Sequence, residues 1–200
     1  MISLIVMASG MSKRFGENKL LFKAFNGMPI VENILLKLSD RAFRGDERLL
    51  VCRDEEVRQM GRKYGFTIID NSKYREGKSA SVKAGVRASD SKNRGLMFFV
   101  GDQPFISIET ISRIKDKGIE ENKIVVPLYT DDSGKERRGN PVYFPSRFKE
   151  DLLKLEGDDG GSIVIRSNLD EVLFYRVGDS SEFFDIDRKS DLEKIKGELR

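Results

Sequence analysis

Residues 2–8 read Ile-Ser-Leu-Ile-Val-Met-Ala, and residues 9–19 continue as Ser-Gly-Met-Ser-Lys-Arg-Phe-Gly-Glu-Asn-Lys. The first segment is a nearly continuous apolar run, which is typical of a strand buried on both faces of a parallel sheet. The second segment is a loop rich in glycine, serine and basic residues at the carboxyl end of that strand. Because α/β sheets bind ligands at this edge, the two segments predict a fold class and the place of a ligand site.

The rest of the chain alternates strand-like and helix-like segments, so we predict an α/β fold. Its expected form is three-layered, with a mostly parallel twisted sheet and helices on both faces. A polar segment at 131–139 predicts a mobile loop or a hairpin, and a glycine-rich turn at 157–161 precedes another short helix. Further strands are predicted at 48–52, 66–69, 96–100, 124–127, 141–144, 172–177 and 183–186, and helices at 29–38, 55–64, 78–88, 108–117, 147–155 and 189–199.

Charge and composition exclude several function classes. The 36 basic and 33 acidic residues are spread evenly and leave a net charge of only +3. A nucleic-acid binder would concentrate its basic residues, so no nucleic-acid partner is expected. The chain contains no histidine, which excludes Ser-His-Asp and Cys-His catalysis and the common histidine-based zinc sites.

The single cysteine and the apolar N-terminus bear on the cellular compartment. Cys52 lies in an apolar run and is interpreted as a buried packing thiol, and one cysteine forms no disulfide within one chain. The apolar run 2–7 is too short for a transmembrane helix or a secretory signal. We expect a cytoplasmic protein without a membrane partner.

The loop at 9–19 is the first candidate site. Gly10 and Gly16 allow the backbone to approach a ligand closely, and Arg14 and Lys19 supply two cations suited to a triphosphate. The spacing is neither that of a Walker A loop nor that of a dinucleotide-binding G-x-G-x-x-G. An ordinary exposed basic loop is the alternative.

Two further sites are carboxylate motifs. Asp102 follows an apolar strand in Gly101-Asp102-Gln103-Pro104 and is a hard oxygen donor suited to Mg²⁺, although a turn of the Asx type is equally consistent. Asp185 and Asp187 are two residues apart, which would place both carboxylates on one face of a short strand. Asp187 is also suited to cap the helix expected from about 189.

Together these segments resemble the nucleotidyltransferase family that includes the molybdenum cofactor cytidylyl- and guanylyltransferases. The family's opening signature reads roughly Leu-x-Ala-Gly-x-Ser-x-Arg-x-Gly-x-x-Lys. Met7 and Ser9 depart from it. The matching residues are Gly10, Ser12, Arg14, Gly16 and Lys19.

Later motifs extend the resemblance over nearly the whole chain. The segments 101–104, 139–142, 185–187 and 191–192 resemble the family's metal-binding, acceptor-side and closing motifs, in the same order. Residues 77–82 resemble the base-side loop of the cytidylyl branch. Where that branch often has Gly-Asp-x-Gly-Ala-Arg, this chain has Ser162 in place of the arginine, with Arg166 one helical turn away.

The resemblance implies a Rossmann-related, glycosyltransferase-A-like fold in a single domain, 1–200. Its nucleotide-binding part would cover about 1–105 and its acceptor-binding part about 106–200. The implied reaction transfers CMP from CTP to a phosphate-bearing acceptor, with Mg²⁺ as cofactor, molybdopterin as acceptor and a molybdoenzyme as receiver of the product. The implied catalytic residues are Arg14, Lys19 and Asp102; the nucleotide-binding residues are Ala8, Ser9, Gly10, Ser12, Arg14, Lys19, Ser79, Ser81 and Asp102; the metal ligands are Asp102 with Asp187 or Asp185; and the acceptor-binding residues are Gln103, Asn140, Pro141 and Gly160.

Two rival functions remain open at this stage. A cytidylyltransferase for an isoprenoid or sugar phosphate would share the N-terminal loop. A catalytically silent nucleotide-binding partner of a molybdoenzyme would bind nucleotide without releasing pyrophosphate.

Overall fold

The computed structural model describes residues 1–10, 15, 18–23, 27–186 and 191. Within these ranges the strands are β1 (Ser3–Ala8), β2 (Glu47–Cys52), β3 (Thr67–Asp70), β4 (Gly95–Val100), β5 (Ile124–Thr130), β6 (Glu136–Arg138), β7 (Val142–Pro145) and β8 (Val172–Arg176). The α-helices are α1 (Ile30–Leu38), α2 (Glu55–Lys63), α3 (Lys78–Ala88), α4 (Ile108–Glu121), α5 (Lys149–Leu153) and α6 (Ser162–Ser167).

All eight strands belong to one open sheet of order β3-β2-β1-β4-β7-β5-β6, with β8 paired to β5. The pairs β3-β2, β2-β1, β1-β4 and β5-β8 are parallel. Strand β7 runs antiparallel to both β4 and β5, and β6 runs antiparallel to β5. The sheet is therefore mixed and mostly parallel, which confirms the predicted fold class.

Helices cover both faces of the sheet. On one face, α1, α2 and α4 pack against alternate residues of β1, including Leu4 and Val6. On the other face, α3, α5 and α6 pack against a second cluster that contains Ile5. This division explains why residues 2–8 are apolar without alternation, since both faces of β1 are buried. Cys52 is buried and unpaired, as expected, and burial raises the pKa of its thiol to about 11.

Most predicted elements form close to their predicted bounds, and α3 matches the predicted range 78–88. The polar segment 131–139 forms the β5–β6 hairpin, which decides between the two alternatives given for it. Pro29 precedes α1 as its N-cap instead of opening it, because its backbone is extended at ψ 144°. Gly77 is the N-cap of α3, so neither Ser79 nor Ser81 caps that helix. The helix predicted at 189–199 lies outside the described residues except for Asp191.

The strand predicted at 183–186 is wrong. Ser180–Phe183 forms a 3-10 helix, in which the Asp179 side chain accepts a hydrogen bond from the Ser181 N–H, and 184–186 have no regular structure. Such side-chain-to-backbone bonds compete with strand pairing. The strand argument for pairing Asp185 with Asp187 therefore fails, and Asp187 lies outside the described residues.

Candidate active site

The carboxyl ends of β1 and β4 meet at the centre of the sheet. The two strands are parallel neighbours with Met7 opposite Val100, and the Gly101 N–H donates to the Met7 carbonyl oxygen at 3.1 Å. This bond brings the segment Ala8-Ser9-Gly10 beside Gly101-Asp102. The loop after β1 and the turn after β4 thus lie at the same edge of the sheet, as expected for two parallel strands.

Lys19 and Asp102 form an ion pair at this edge. Lys19 Nζ lies 2.6 Å from Asp102 Oδ2, and the side chains are 13% and 26% exposed. Lys19 opens a 3-10 helix whose N-cap, Asn18, accepts a hydrogen bond from the Leu20 N–H. The buried Leu20 side chain approaches Gly101 so closely that a Cβ there would lie 3.3 Å from Leu20 Cδ2. This packing fixes the position of Lys19. Arg14, Ser12 and Gly16 lie outside the described residues.

The C-terminal segment 184–186 returns to the same edge. The Ile186 N–H donates to the Asp102 carbonyl oxygen at 3.3 Å, and the buried Ile186 side chain packs with Phe15 and Ile30. Asp185 therefore lies next in sequence to a residue bonded to Asp102. Burial raises the pKa of the Tyr129 phenol, and the negative charge of Asp185 adds to that rise.

The carboxylates present fit a divalent metal that is held partly by its substrate. In the described part of the chain no cluster of three or more His, Cys, Asp or Glu side chains forms a complete metal cage. Asp102 supplies one carboxylate, and Asp185 lies next in sequence to Ile186, whose N–H donates to the Asp102 carbonyl oxygen. Mg²⁺ is usually bound by one or two carboxylates together with substrate phosphates and water. In the structure the Asp102 carboxylate already binds one cation, the ammonium of Lys19.

Helix α1 holds the segment that follows Asp102. Lys37 Nζ donates to the carbonyl oxygens of Pro104 and Ile106, at 2.6 and 2.8 Å. Burial lowers the pKa of the Lys37 ammonium, while the nearby carboxylate of Glu182 opposes that effect. The turn that carries Asp102 is thus fixed at both ends.

The predicted base-side residues lie directly after β1 and in the first turn of α3. Ser9 is 4% exposed and its hydroxyl donates to the Val51 carbonyl oxygen at 3.2 Å. Asn71 Nδ2 donates to the Ser81 hydroxyl oxygen at 2.9 Å, and the side chain of Ser79 is buried. The sequence motifs did not indicate Asn71, although its place two residues after the predicted strand 66–69 was a usable signal.

A cavity of about 210 Å³ is lined by one of the predicted acceptor-side residues and by sequence neighbours of two others. Met7, whose carbonyl oxygen accepts from the Gly101 N–H, is also among the residues that line this cavity. Asn140 lines it as well, and Pro141 and Gly160 are each adjacent in sequence to lining residues, whereas Gln103 is buried beside Asp102. The full lining within the described residues is Met7, Val82, Phe98, Val126, Arg138, Gly139, Asn140, Val142, Phe144, Leu152, Gly161, Ser162 and Ile165.

A model of the MobA-like NTP transferase domain matches residues 4–172. The matched range contains Lys19, Asp102 and the residues that line the cavity. The chain belongs to the MobA-like NTP transferase domain family. This confirms the family indicated by the sequence motifs, and it makes the MobA-like chain a nucleotidyltransferase. None of its helices in the described ranges is long and apolar enough to cross a membrane.

The proteins similar to this MobA-like chain do not all carry the name of one activity. A probable molybdenum cofactor guanylyltransferase of Thermococcus sibiricus is 27% identical, with 98% of each chain covered. Rv0371c from Mycobacterium tuberculosis, solved with manganese, is 22% identical with a TM-score of 0.76 and 97% of each chain covered. The 4-diphosphocytidyl-2C-methyl-D-erythritol synthase of Anaerococcus prevotii is 19% identical with a TM-score of 0.76, covering 100% of this chain and 96% of that one. The two solved structures establish the fold alone.

Proposed function

We propose that this chain transfers CMP from CTP to a phosphate-bearing small molecule and releases pyrophosphate. The observation that carries the proposal is the Lys19–Asp102 pair, because it places a cation and a carboxylate at the edge where β1 and β4 end. A triphosphate needs cationic groups and a carboxylate-bound metal at one place. The family supports nucleotidyl transfer, and the choice of CTP rests on the base-side loop 77–82.

The donor's phosphates are assigned to the loop after β1. Lys19, Arg14, Ser12 and the backbone of Ala8-Ser9-Gly10 would bind the phosphate oxygens, and Ser79 and Ser81 would line the base. Asp102, with Asp185 or Asp187, would hold Mg²⁺. A divalent metal is usual for nucleotidyltransferases of this kind; when bound, it neutralises charge on the phosphates and orients them.

The reaction balances without a histidine base. An oxygen of the acceptor's phosphate, already anionic, attacks the α-phosphorus of CTP and forms a new P–O bond. The bond between the α-phosphorus and the bridging oxygen breaks, and its electron pair leaves with pyrophosphate. The chain's own contribution is to position both phosphates and to offset their negative charge, in which Lys19 and Arg14 take part.

The acceptor we favour is molybdopterin, with a molybdoenzyme as receiver of the product. The cavity beside Met7 would take it, with Asn140, Pro141, Gly160 and Gln103 at or near its wall. In this division, residues 1–105 handle the nucleotide and 106–200 the acceptor. The compartment we propose is the cytoplasm, where the buried thiol of Cys52 would stay reduced.

GTP is the rival donor, because the Thermococcus sibiricus relative is named as a guanylyltransferase. An isoprenoid or sugar phosphate is the rival acceptor. The test is pyrophosphate release from CTP and from GTP, with and without molybdopterin, at fixed Mg²⁺ or Mn²⁺. Release that requires molybdopterin and metal supports the proposal. Tight nucleotide binding without release would overturn it in favour of a silent binding protein.

A further inference from the structure

Arg138 is the one charged side chain among the described residues that line the cavity. The other lining residues are apolar except for Asn140 and Ser162. An anionic group that enters an apolar cavity loses hydration, and this costs free energy unless a cation replaces the water. A ligand seated here with a phosphate group would therefore meet Arg138.

The guanidinium of Arg138 is held by an aromatic face. It lies 5.3 Å from the ring centroid of Phe174, which is 37% exposed on β8. Phe174 is the register partner of Val126, and Val126 lines the cavity. Stacking occupies one face of a guanidinium and leaves its in-plane N–H groups free to bind a phosphate in a forked geometry.

Two carboxylates of the same hairpin pair with other arginines. Asp131 Oδ2 accepts from Arg137 Nε at 2.7 Å, and Glu136 pairs with Arg176 across to β8. Arg137 and Arg138 are consecutive on β6, so their side chains point to opposite sides of the strand. Of these three arginines, Arg138 is the one that lines the cavity.

We propose that Arg138 binds the phosphate of the acceptor and that Phe174 positions its guanidinium. This proposal deepens the proposed function and rests on it for the identity of the acceptor. It assigns the acceptor's cation to β6, whereas Ser162 offers none and the exposed Arg166 is not among the lining residues. The acceptor would be a phosphomonoester with an apolar or planar body.

The first test is steady-state kinetics with CTP and molybdopterin for Arg138→Gln, Arg138→Lys and the matched control Arg137→Gln. Arg138→Gln should lower kcat/KM for the acceptor roughly ten- to hundredfold, which is the scale of a lost charge-assisted hydrogen bond. Arg138→Lys should recover part of the loss, and the dissociation constant for CTP should not change. An equal loss in Arg137→Gln, or none in Arg138→Gln, would overturn the assignment.

The role of Phe174 as a positioning residue needs a readout that a structural defect would not move. The second pKa of a phosphomonoester is about 6, while the arginine stays charged. In the wild type the acceptor KM should therefore fall as pH rises from 5.5 to 7.5. Phe174→Leu should raise KM and flatten this profile, with an unchanged melting temperature, and Phe174→Tyr should restore both. A wild-type profile in Phe174→Leu would contradict the positioning role.

A binding measurement separates failure of this proposal from failure of the proposed function. If molybdopterin gives no turnover with the wild type, the proposed acceptor is wrong. Phenyl phosphate is then titrated, by ³¹P NMR, into protein saturated with the non-reacting α,β-methylene analogue of CTP. Binding by the wild type and Arg137→Gln, but not by Arg138→Gln, still supports Arg138. No binding to the wild type, or equal binding to all three, overturns it.

Discussion

Asp102 carries the reaction in our proposal and forms a partly buried ion pair with Lys19, with the two side chains 26% and 13% exposed. An asparagine at this position can still accept a hydrogen bond from the Lys19 ammonium. Asp102→Asn keeps the size of the side chain and removes an anionic ligand. We expect a folded protein with more than about tenfold lower turnover, equivalent to roughly 1.4 kcal/mol of barrier.

The readouts for this variant are pyrophosphate release and thermal unfolding. A suitable control is Asp170→Asn, because Asp170 is exposed. Its hydrogen bond from Lys123 Nζ, at 3.0 Å, is accepted by the backbone carbonyl oxygen, which the substitution keeps. Folded Asp102→Asn protein that retains turnover within tenfold of the wild type would remove Asp102 from the site.

Lys19 belongs to the same residue-scale argument, because in our proposal its ammonium binds a phosphate oxygen of CTP. Lys19→Ala should weaken CTP binding roughly tenfold or more, as expected for a lost charge-assisted bond. Arg14→Ala should act in the same direction. Calorimetric titration measures both, with the exposed Lys23→Ala as a control of equal charge change. Unchanged affinity in Lys19→Ala and Arg14→Ala would move the phosphate site elsewhere.

At the scale of elements, the start of α3 depends on a close backbone approach. Gly77 has φ +100°, and a Cβ there would lie 2.2 Å from the Gly157 carbonyl oxygen. That same oxygen accepts the Ser79 N–H at 3.1 Å. The contact joins the base-side segment 77–82 to the glycine-rich turn 157–161, so the two motifs act as one structural unit.

Gly77→Ala should therefore destabilise the protein more than an alanine in open space does. Gly134 also has a positive φ, +81°, but nothing lies within 4 Å of its Cβ position. Gly134→Ala should cost about 1–2 kcal/mol for the left-handed backbone alone. Gly77→Ala should cost about 1–3 kcal/mol more, because the backbone of Gly157 must move. Urea unfolding compares the two, and equal losses would show that the contact with Gly157 is not limiting.

At the scale of the whole molecule, the sequence predicted the features that periodicity and strand order control. The apolar run 2–8 and the polar residues after 96–100 located the site edge, because parallel strands place their carboxyl ends together. Hydrogen bonds between residues far apart in the sequence could not be predicted from it. Glu182, for example, accepts from the Ser107 N–H and from the Thr110 hydroxyl. Glu182 belongs to the 3-10 helix Ser180–Phe183, which overlaps the start of the strand predicted at 183–186.

Arg138 was missed for a related reason. In the sequence it is one of two adjacent arginines in a polar segment, which indicates only a solvated hairpin. Its place at the cavity follows from the pairing of β6 with β5 and of β5 with β8, which brings Phe174 under its guanidinium. Such non-local pairings are set by the packing of the whole sheet rather than by residues near Arg138.

The last prediction concerns the choice of nucleotide, which our proposal assigns to the loop after β1 and the start of α3. The Ser9 hydroxyl is committed to the Val51 carbonyl, and the Asn71 amide donates to Ser81. In our proposal the base lies against the small side chains of 77–82, and a pyrimidine pocket there would exclude a purine by its bulk. We therefore expect CTP to be preferred over GTP by roughly ten- to hundredfold in kcat/KM, the range that pocket contacts usually provide.

Steady-state rates with CTP, GTP, ATP and UTP at matched Mg²⁺ measure this preference. UTP is the sharpest comparison, because it equals CTP in size and differs at the base edge. A CTP rate well above that of UTP would indicate reading of the edge, whereas equal rates would leave size as the basis of selection. A higher kcat/KM for GTP would agree with the name of the Thermococcus sibiricus relative and reject the cytidylyl assignment. Nucleotidyl transfer itself would stand, since it rests on the family and on Lys19 and Asp102.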